Sequence, residues 1–256
     1  MHTGSKILVT RPAHQSENMC RLIEQQGWQA IRFPVLEIQA RVLSAEDRQR
    51  IQEIEQYQQV IFVSVNAINF ALLLISGKME SLQKTSCIAV GKASYQALQA
   101  QGIQHVLVPQ QGFNSEAILA MPEMQDMQGQ SCLIVRGVGG RDFLADNLRE
   151  RGARVDYLEV YKRVMPVADN SGLIGEYLRH KALAAILIYS GDALRNLLQM
   201  LAKEDIKKNL LNTPLLVISQ RVQELAKKIG FKNIIIADQA SDAAMINALM
   251  KEEKRG

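Results

Sequence analysis

One pattern runs through this chain twice. A short apolar strand, a small polar turn and a helix occur four times, and the same four units then return in the same order. KILVT (6–10), a turn at Arg11-Pro12, a helix over 14–26 closed by Gly27 and a strand over 29–33 open the series. Their echo is CLIV (132–135), a glycine–arginine loop, a helix over 142–151 closed by Gly152, and a further strand. VIFV (60–63) with Ser64 returns as ILIY (186–189) with Ser190, and CIAV (87–90) with Gly91 and Ser94 as LLVI (215–218) with Ser219. VLV (106–108) returns as IIIA (234–237). The four pairs keep one offset of roughly 126 residues, the size of an ordinary domain. Short apolar strands alternating with helices imply parallel sheets covered on both faces, with right-handed crossovers. The expected fold class is α/β, built as two similar domains.

Two segments stand outside the repeat, PVLEIQAR (34–41) and YLEVYKRVMP (157–166). Both alternate apolar and polar residues, which fits either extended connectors between domains or ordinary edge strands.

Composition narrows the function classes. Apolar residues make up 47% and charged residues 22%, which is globular. The net charge of +4 is spread without dense basic runs, and aromatics are only 5%, so nucleic-acid binding is not expected. The three cysteines are odd in number and far apart, which points to reduced thiols and a cytoplasmic protein. No signal-peptide pattern opens the chain, and no apolar run reaches the ~18 residues of a membrane span.

Ligands of parallel α/β sheets sit at the carboxyl ends of the strands. Here those ends carry Arg11, Ser64, Gly91, Ser94, Arg136, Gly137, Gly140, Arg141, Ser190 and Ser219. The loop at 136–141 sets three glycines between two arginines and opens a helix. Free backbone N–H groups and fork-shaped guanidinium donors in such a place suit a carboxylate or phosphate. The serines have a plainer use as helix N-caps. No histidine, cysteine or metal-ligand spacing falls on these turns, and the dinucleotide and Walker fingerprints are absent. The inventory is that of an anion-binding surface with hydroxyls. Tyr161, on the second non-repeating segment, could donate a proton there or pack at a domain junction.

Taken together, ILVTRP (7–12), FPVLEI (33–38), Ser64-x-Asn66-Ala67, AVGKAS (89–94), LIVRGVGGRDFLADNLRERGA (133–153), VYKR (160–163) and Ser190-Gly191 resemble the uroporphyrinogen-III synthase family. The resemblance covers nearly the whole chain. It implies two flavodoxin-like domains, 1–37 with 165–256 and 38–164, joined by a two-stranded connector with the ligand cleft between them. A simple split near residue 126 is the second choice. The implied reaction closes hydroxymethylbilane to uroporphyrinogen III, with loss of water and inversion of ring D, and needs no metal or organic cofactor. Tyr161 aligns with the family tyrosine that helps protonate the leaving hydroxyl. Ser64, Ser94, Arg136, Gly137, Arg141 and Ser190 align with cleft-lining positions, and Ser219 stands where members carry glycine or serine. The resemblance further implies a monomer, the preceding pathway enzyme being a possible partner. The rival reading is a two-lobed binding protein that clamps an anionic small molecule without chemistry; a nucleotide-dependent transferase is disfavoured by the missing fingerprints.

Overall fold

A computed structural model describes residues 4–75, 79–167 and 170–253. The chain divides into two compact units, Met1–Glu37 with Val164–Gly256, and Ile38–Arg163.

In the first unit, β1 (Lys6–Val9), α1 (Ala13–Gln25) and β2 (Gln29–Arg32) come from the start of the chain. The second unit runs β3 (Glu37–Ala40), α2 (Ala45–Gln52), β4 (Gln59–Phe62), α3 (Val65–Ile75), α4 (Met79–Gln83), β5 (Ser86–Ala89), α5 (Lys92–Gln99) and β6 (Val106–Leu107). It closes with α6 (Ser115–Leu119), β7 (Ser131–Gly137), α7 (Phe143–Glu150) and β8 (Arg154–Val164). The first unit then resumes with α8 (Ser171–Arg179), β9 (Leu183–Ile188), α9 (Gly191–Met200), α10 (Glu204–Asn212), β10 (Leu215–Val217), α11 (Gln220–Ile229), β11 (Ile234–Ile236) and α12 (Asp242–Glu253).

The sheet of the first unit has the order β11-β10-β9-β1-β2, and its four pairings are parallel. Successive strand residues point to opposite faces. Leu8, Ile186 and Val217 therefore pack with Leu194, Leu197, Ile206 and Val222 on one side. Ile7, Leu187 and Leu216 pack with Met19, Ile23, Met245 and Leu249 on the other. The sheet of the second unit has the order β3-β8-β7-β4-β5-β6 and is likewise covered twice. Burial on both faces explains why these strands read as unbroken apolar runs.

Set side by side, β11-β10-β9-β1-β2 and β6-β5-β4-β7-β8 are the same arrangement, strand for strand, in the pairing that the sequence repeat predicts. The repeat is not the folding unit, however. Each sheet takes two strands from one repeat and three from the other, because β1 and β2 pair beside β9 rather than β4. A division near residue 126, the second choice above, does not occur.

Of the two segments outside the repeat, one departs from expectation and one meets the edge-strand alternative. Residues 157–166 are not a segment separate from the preceding strand, since β8 runs unbroken over eleven residues. Of 34–41 only Glu37–Ala40 is strand, at the edge of the sheet beside β8. At the start of α7 Phe143 is 40% exposed, while Leu144 and Leu148 are buried. Cys20, Cys87 and Cys132 are buried free thiols, and burial pushes Cys87 and Cys132 up to about 11.

Candidate active site

The carboxyl end of β7 opens onto a hollow of about 190 Å³ in the second unit, lined among others by Ser64, Arg136, Gly137, Arg141, Tyr161 and Arg163. Its shape depends on an irregularity in the β7–β8 ladder. Arg136 pairs with Glu159, but Gly137 pairs with Tyr161, so one residue of β8 is skipped. Such a bulge re-aims the side chains beyond it. Val160 and Tyr161, neighbours in sequence, consequently pack in the same core cluster. The Val138 N–H donates to the Tyr161 carbonyl at 2.7 Å and holds the ladder past the bulge.

Tyr161 is 2% exposed, with its ring 5.7 Å from that of Phe70. Its phenol oxygen lies 3.3 Å from Ser64 Oγ and accepts from Arg163 Nη2 at 3.4 Å. Ser64 also accepts the Ala67 N–H at 3.0 Å as α3 begins. The two uses weighed for this serine, cap and site hydroxyl, thus coexist in one oxygen.

The glycine–arginine loop is arranged differently from the expectation of an open anion cradle. Gly139 and Gly140 have φ of 75° and 110°, a left-handed turn that favours glycine. Gly139 N–H already donates to Glu159 Oε1 at 3.4 Å, and Arg136 Nε and Nη2 reach the same oxygen at the same distance. Arg136 Nη1 donates to Asp142 Oδ1 at 3.0 Å, and the guanidinium lies 3.8 Å from the centre of the Tyr157 ring. Tyr157 donates to that same Asp142 oxygen at 2.8 Å. Burial, then this hydrogen bond, push the Tyr157 phenol up to about 12. The Tyr157 and Arg136 donors hold the Asp142 carboxyl below its ordinary value. Arg136 is therefore committed to the protein's own carboxylates. Arg141 is two-thirds exposed and pairs with Glu116 at 2.9 Å, a solvent-screened contact that a ligand can displace at little cost.

The other strand ends are placed as follows. Gly91, beneath the Phe113 ring, and Ser94, buried in the first turn of α5, lie outside the lining of the Tyr161 hollow. In the first unit, Ser190 and Ser219 are N-caps, accepting from Ala193 N at 3.1 Å and Val222 N at 3.4 Å. Ser190, Arg195, Arg221 and Lys228 line a second hollow of about 430 Å³. Arg11 does not line it. Its Nη1 bonds Asp242 Oδ1 at 2.7 Å, and its guanidinium lies 3.9 Å from the centre of the Tyr189 ring. The Arg–Tyr–Asp stack of Arg136 thus has a counterpart in the first unit.

Arg11, Arg136 and Arg141 stand out in the sequence as cations at strand ends, but their partners Asp242, Asp142, Glu159 and Glu116 do not. Arg163 appears there only as the last residue of VYKR. A visible signal was Glu159, an acidic residue between the apolar Leu158 and Val160 of β8. Among the described residues, no group of three or more His, Cys, Asp or Glu is placed to hold a metal ion, and no helix is long and apolar enough to cross a membrane.

Residues 17–247 match the family described as uroporphyrinogen-III synthase HemD. The uroporphyrinogen-III synthase of Escherichia coli (strain K12) is 29% identical over 246 residues, covering 95% of this chain and 99% of its own. That of Chlorobaculum parvum is 24% identical over 254 residues, covering 97% and 99%. Among solved structures, a mutant uroporphyrinogen III synthase from the extremely thermophilic bacterium Thermus thermophilus aligns with a TM-score of 0.65 at 17% identity, covering 99% of this chain and 100% of that one. The Helicobacter pylori enzyme aligns with a TM-score of 0.65 at 14% identity, covering 96% and 99%. These two likenesses bear on the fold alone.

Proposed function

Since the chain belongs to the uroporphyrinogen-III synthase family, we propose that it cyclises hydroxymethylbilane to uroporphyrinogen III and that Tyr161 is its catalytic acid. The observation that carries the second part is the Tyr161 phenol, held between Ser64 and Arg163 at the wall of a hollow. As the C–O bond of the hydroxymethyl group breaks, the phenol gives its proton to the departing oxygen, which leaves as water. The electron-rich pyrrole supplies the electron pair that replaces the bond, so the protein's task is proton delivery and holding the chain folded for inversion of ring D.

The substrate's carboxylates call for cationic and N–H donors. We assign that role to Arg141, whose ion pair is exposed, to the amides of Gly137 and Gly140, and to Ser64. At the strand ends of the first unit we assign it to Ser190 and Ser219. Gly91 and Ser94 remain proposed contacts at the end of β5. Arg136 and Arg11, already paired, are read as supports for their loops. The reaction is proposed to proceed without a metal or organic cofactor, in a cytoplasmic monomer supplied with substrate by the preceding enzyme. Units bounded as 1–37 with 165–256 and 38–164 are the proposed domains.

The test couples the purified protein to a hydroxymethylbilane-forming enzyme and separates the product isomers. The III isomer is the expected product. Only the I isomer, formed by closure without inversion, would remove the assignment. Tight binding of porphyrinogens with no change in isomer would return the reading to a binding protein.

A further inference from the structure

We propose that Arg163 is a positioning residue for the Tyr161 phenol, a role that rests on the reading of Tyr161 given above. The two residues are i and i+2 on β8, the spacing that brings side chains to one face of a strand. Arg163 Nη2 donates to the phenol oxygen at 3.4 Å, its guanidinium carbon lies 5.7 Å from the centre of the phenol ring, and both side chains line the same hollow. Arg11, Arg136 and Arg141 each have a carboxylate within ion-pair distance. Among the described residues Arg163 has no such partner, and its side chain's hydrogen bond is to Tyr161.

Chemistry fixes the direction of that bond. A guanidinium has donors only, so Arg163 occupies an acceptor site on the phenol oxygen. Ser64 Oγ accepts the Ala67 N–H and has its own proton to donate to the phenol oxygen. The phenol is thereby held in rotation while its proton remains available. Positive charge also stands beside the oxygen on which negative charge develops as that proton moves. The alternative is that Arg163 grips a substrate carboxylate directly and touches Tyr161 only in passing.

Steady-state kinetics of Arg163→Gln and Arg163→Lys, each in the native and in the Tyr161→Phe background, separate these roles. With folding checked by circular dichroism, Arg163→Gln is expected to lower kcat roughly tenfold with little change in KM, the low end for a charge-assisted hydrogen bond of this length. Arg163→Lys recovers part of the loss, and in the Tyr161→Phe background Arg163→Gln costs nothing further. An effect confined to KM, or a tenfold loss that persists without the phenol, overturns the positioning role and leaves Tyr161 untouched. Undiminished turnover in Tyr161→Phe alone instead removes Tyr161 from the reaction, and the role of Arg163 with it.

Discussion

Gly137 and Tyr161 share a space that admits only one side chain: a Cβ on residue 137 would stand 2.5 Å from Tyr161 Cζ. They are paired across the β7–β8 ladder immediately after the bulge, and the ring occupies the space that a side chain at 137 would need. Gly137→Ala is expected to destabilise the protein by about 1–3 kcal/mol, the usual cost of forcing a methyl into packed space, and to displace the phenol. Chemical denaturation and turnover would both register the change. Tyr161→Ala should relieve the added methyl, and an unrelieved loss in the double variant would locate the strain elsewhere.

Ser64 makes two bonds with one oxygen, and they can be separated. Ser64→Ala should cost about 1 kcal/mol as a lost N-cap and also slow turnover. Ser64→Gly costs only a few tenths as a cap yet should slow turnover as much. Equal turnover in the native protein and Ser64→Gly would show that the hydroxyl serves α3 alone.

Tyr161→Phe removes the proton and little else. Turnover is expected to fall by about 10²–10⁴, the usual range for a positioned general acid, with the thermal midpoint nearly unchanged. A fall below tenfold would mean that holding the substrate outweighs proton delivery.

Arg136 ties β7, β8 and the start of α7 together through Glu159 and Asp142. Arg136→Met should cost about 1.5–3 kcal/mol, the range for hydrogen bonds to charged groups, because Glu159, only 23% exposed, keeps a charge without its partner. Adding Glu159→Gln should restore much of the loss in urea unfolding. Full stability in Arg136→Met would mean that the arginine was held for a ligand rather than for the loop.

Three tyrosines should resist ionisation. Burial, then the hydrogen bond to Asp156, push Tyr57 up to about 12, and burial with the Asp142 bond does the same for Tyr157. Burial drives Tyr189 higher still. For a phenol a raised value means that the fold favours the neutral form. The stability from Tyr57 and Tyr157 is therefore fully present below the ordinary phenol value of about 10 and is lost as pH rises through about 12. Ultraviolet titration should show these phenolates forming only as the protein unfolds in alkali, and Tyr157→Phe should flatten the fall. Early, reversible ionisation of all six tyrosines would contradict the burial.

Much of this protein is legible one segment at a time. Apolar runs such as 132–135 and 186–188 announce buried strands, Ser190 and Ser219 announce helix starts, and Gly27, Gly152 and Gly230 announce helix ends by their left-handed backbone. These signals act within a few residues, so local sequence carries them whole. Which strand of one sheet answers to which strand of the other was implicit in the paired spacing, though their order within a sheet was not.

What the segments could not say is which partners meet. Strand pairing and ion pairing join residues far apart in the chain, and nothing local marks the partner. The first βαβ unit could have continued into β4; the tertiary structure instead sets β1 beside β9. The loop at 136–141 had every mark of a cradle for an outside anion. Glu159, twenty residues beyond Gly139, fills part of it, because the β7–β8 register brings that carboxylate beside Arg136. Sequence by itself determined that two α/β sheets would form, where their helices begin, and what kinds of donors stand at the strand ends. Only the folded chain decided which donors are already paired, since that depends on register and on one skipped residue in β8, and so left the phenol of Tyr161 beside Arg163 at the hollow.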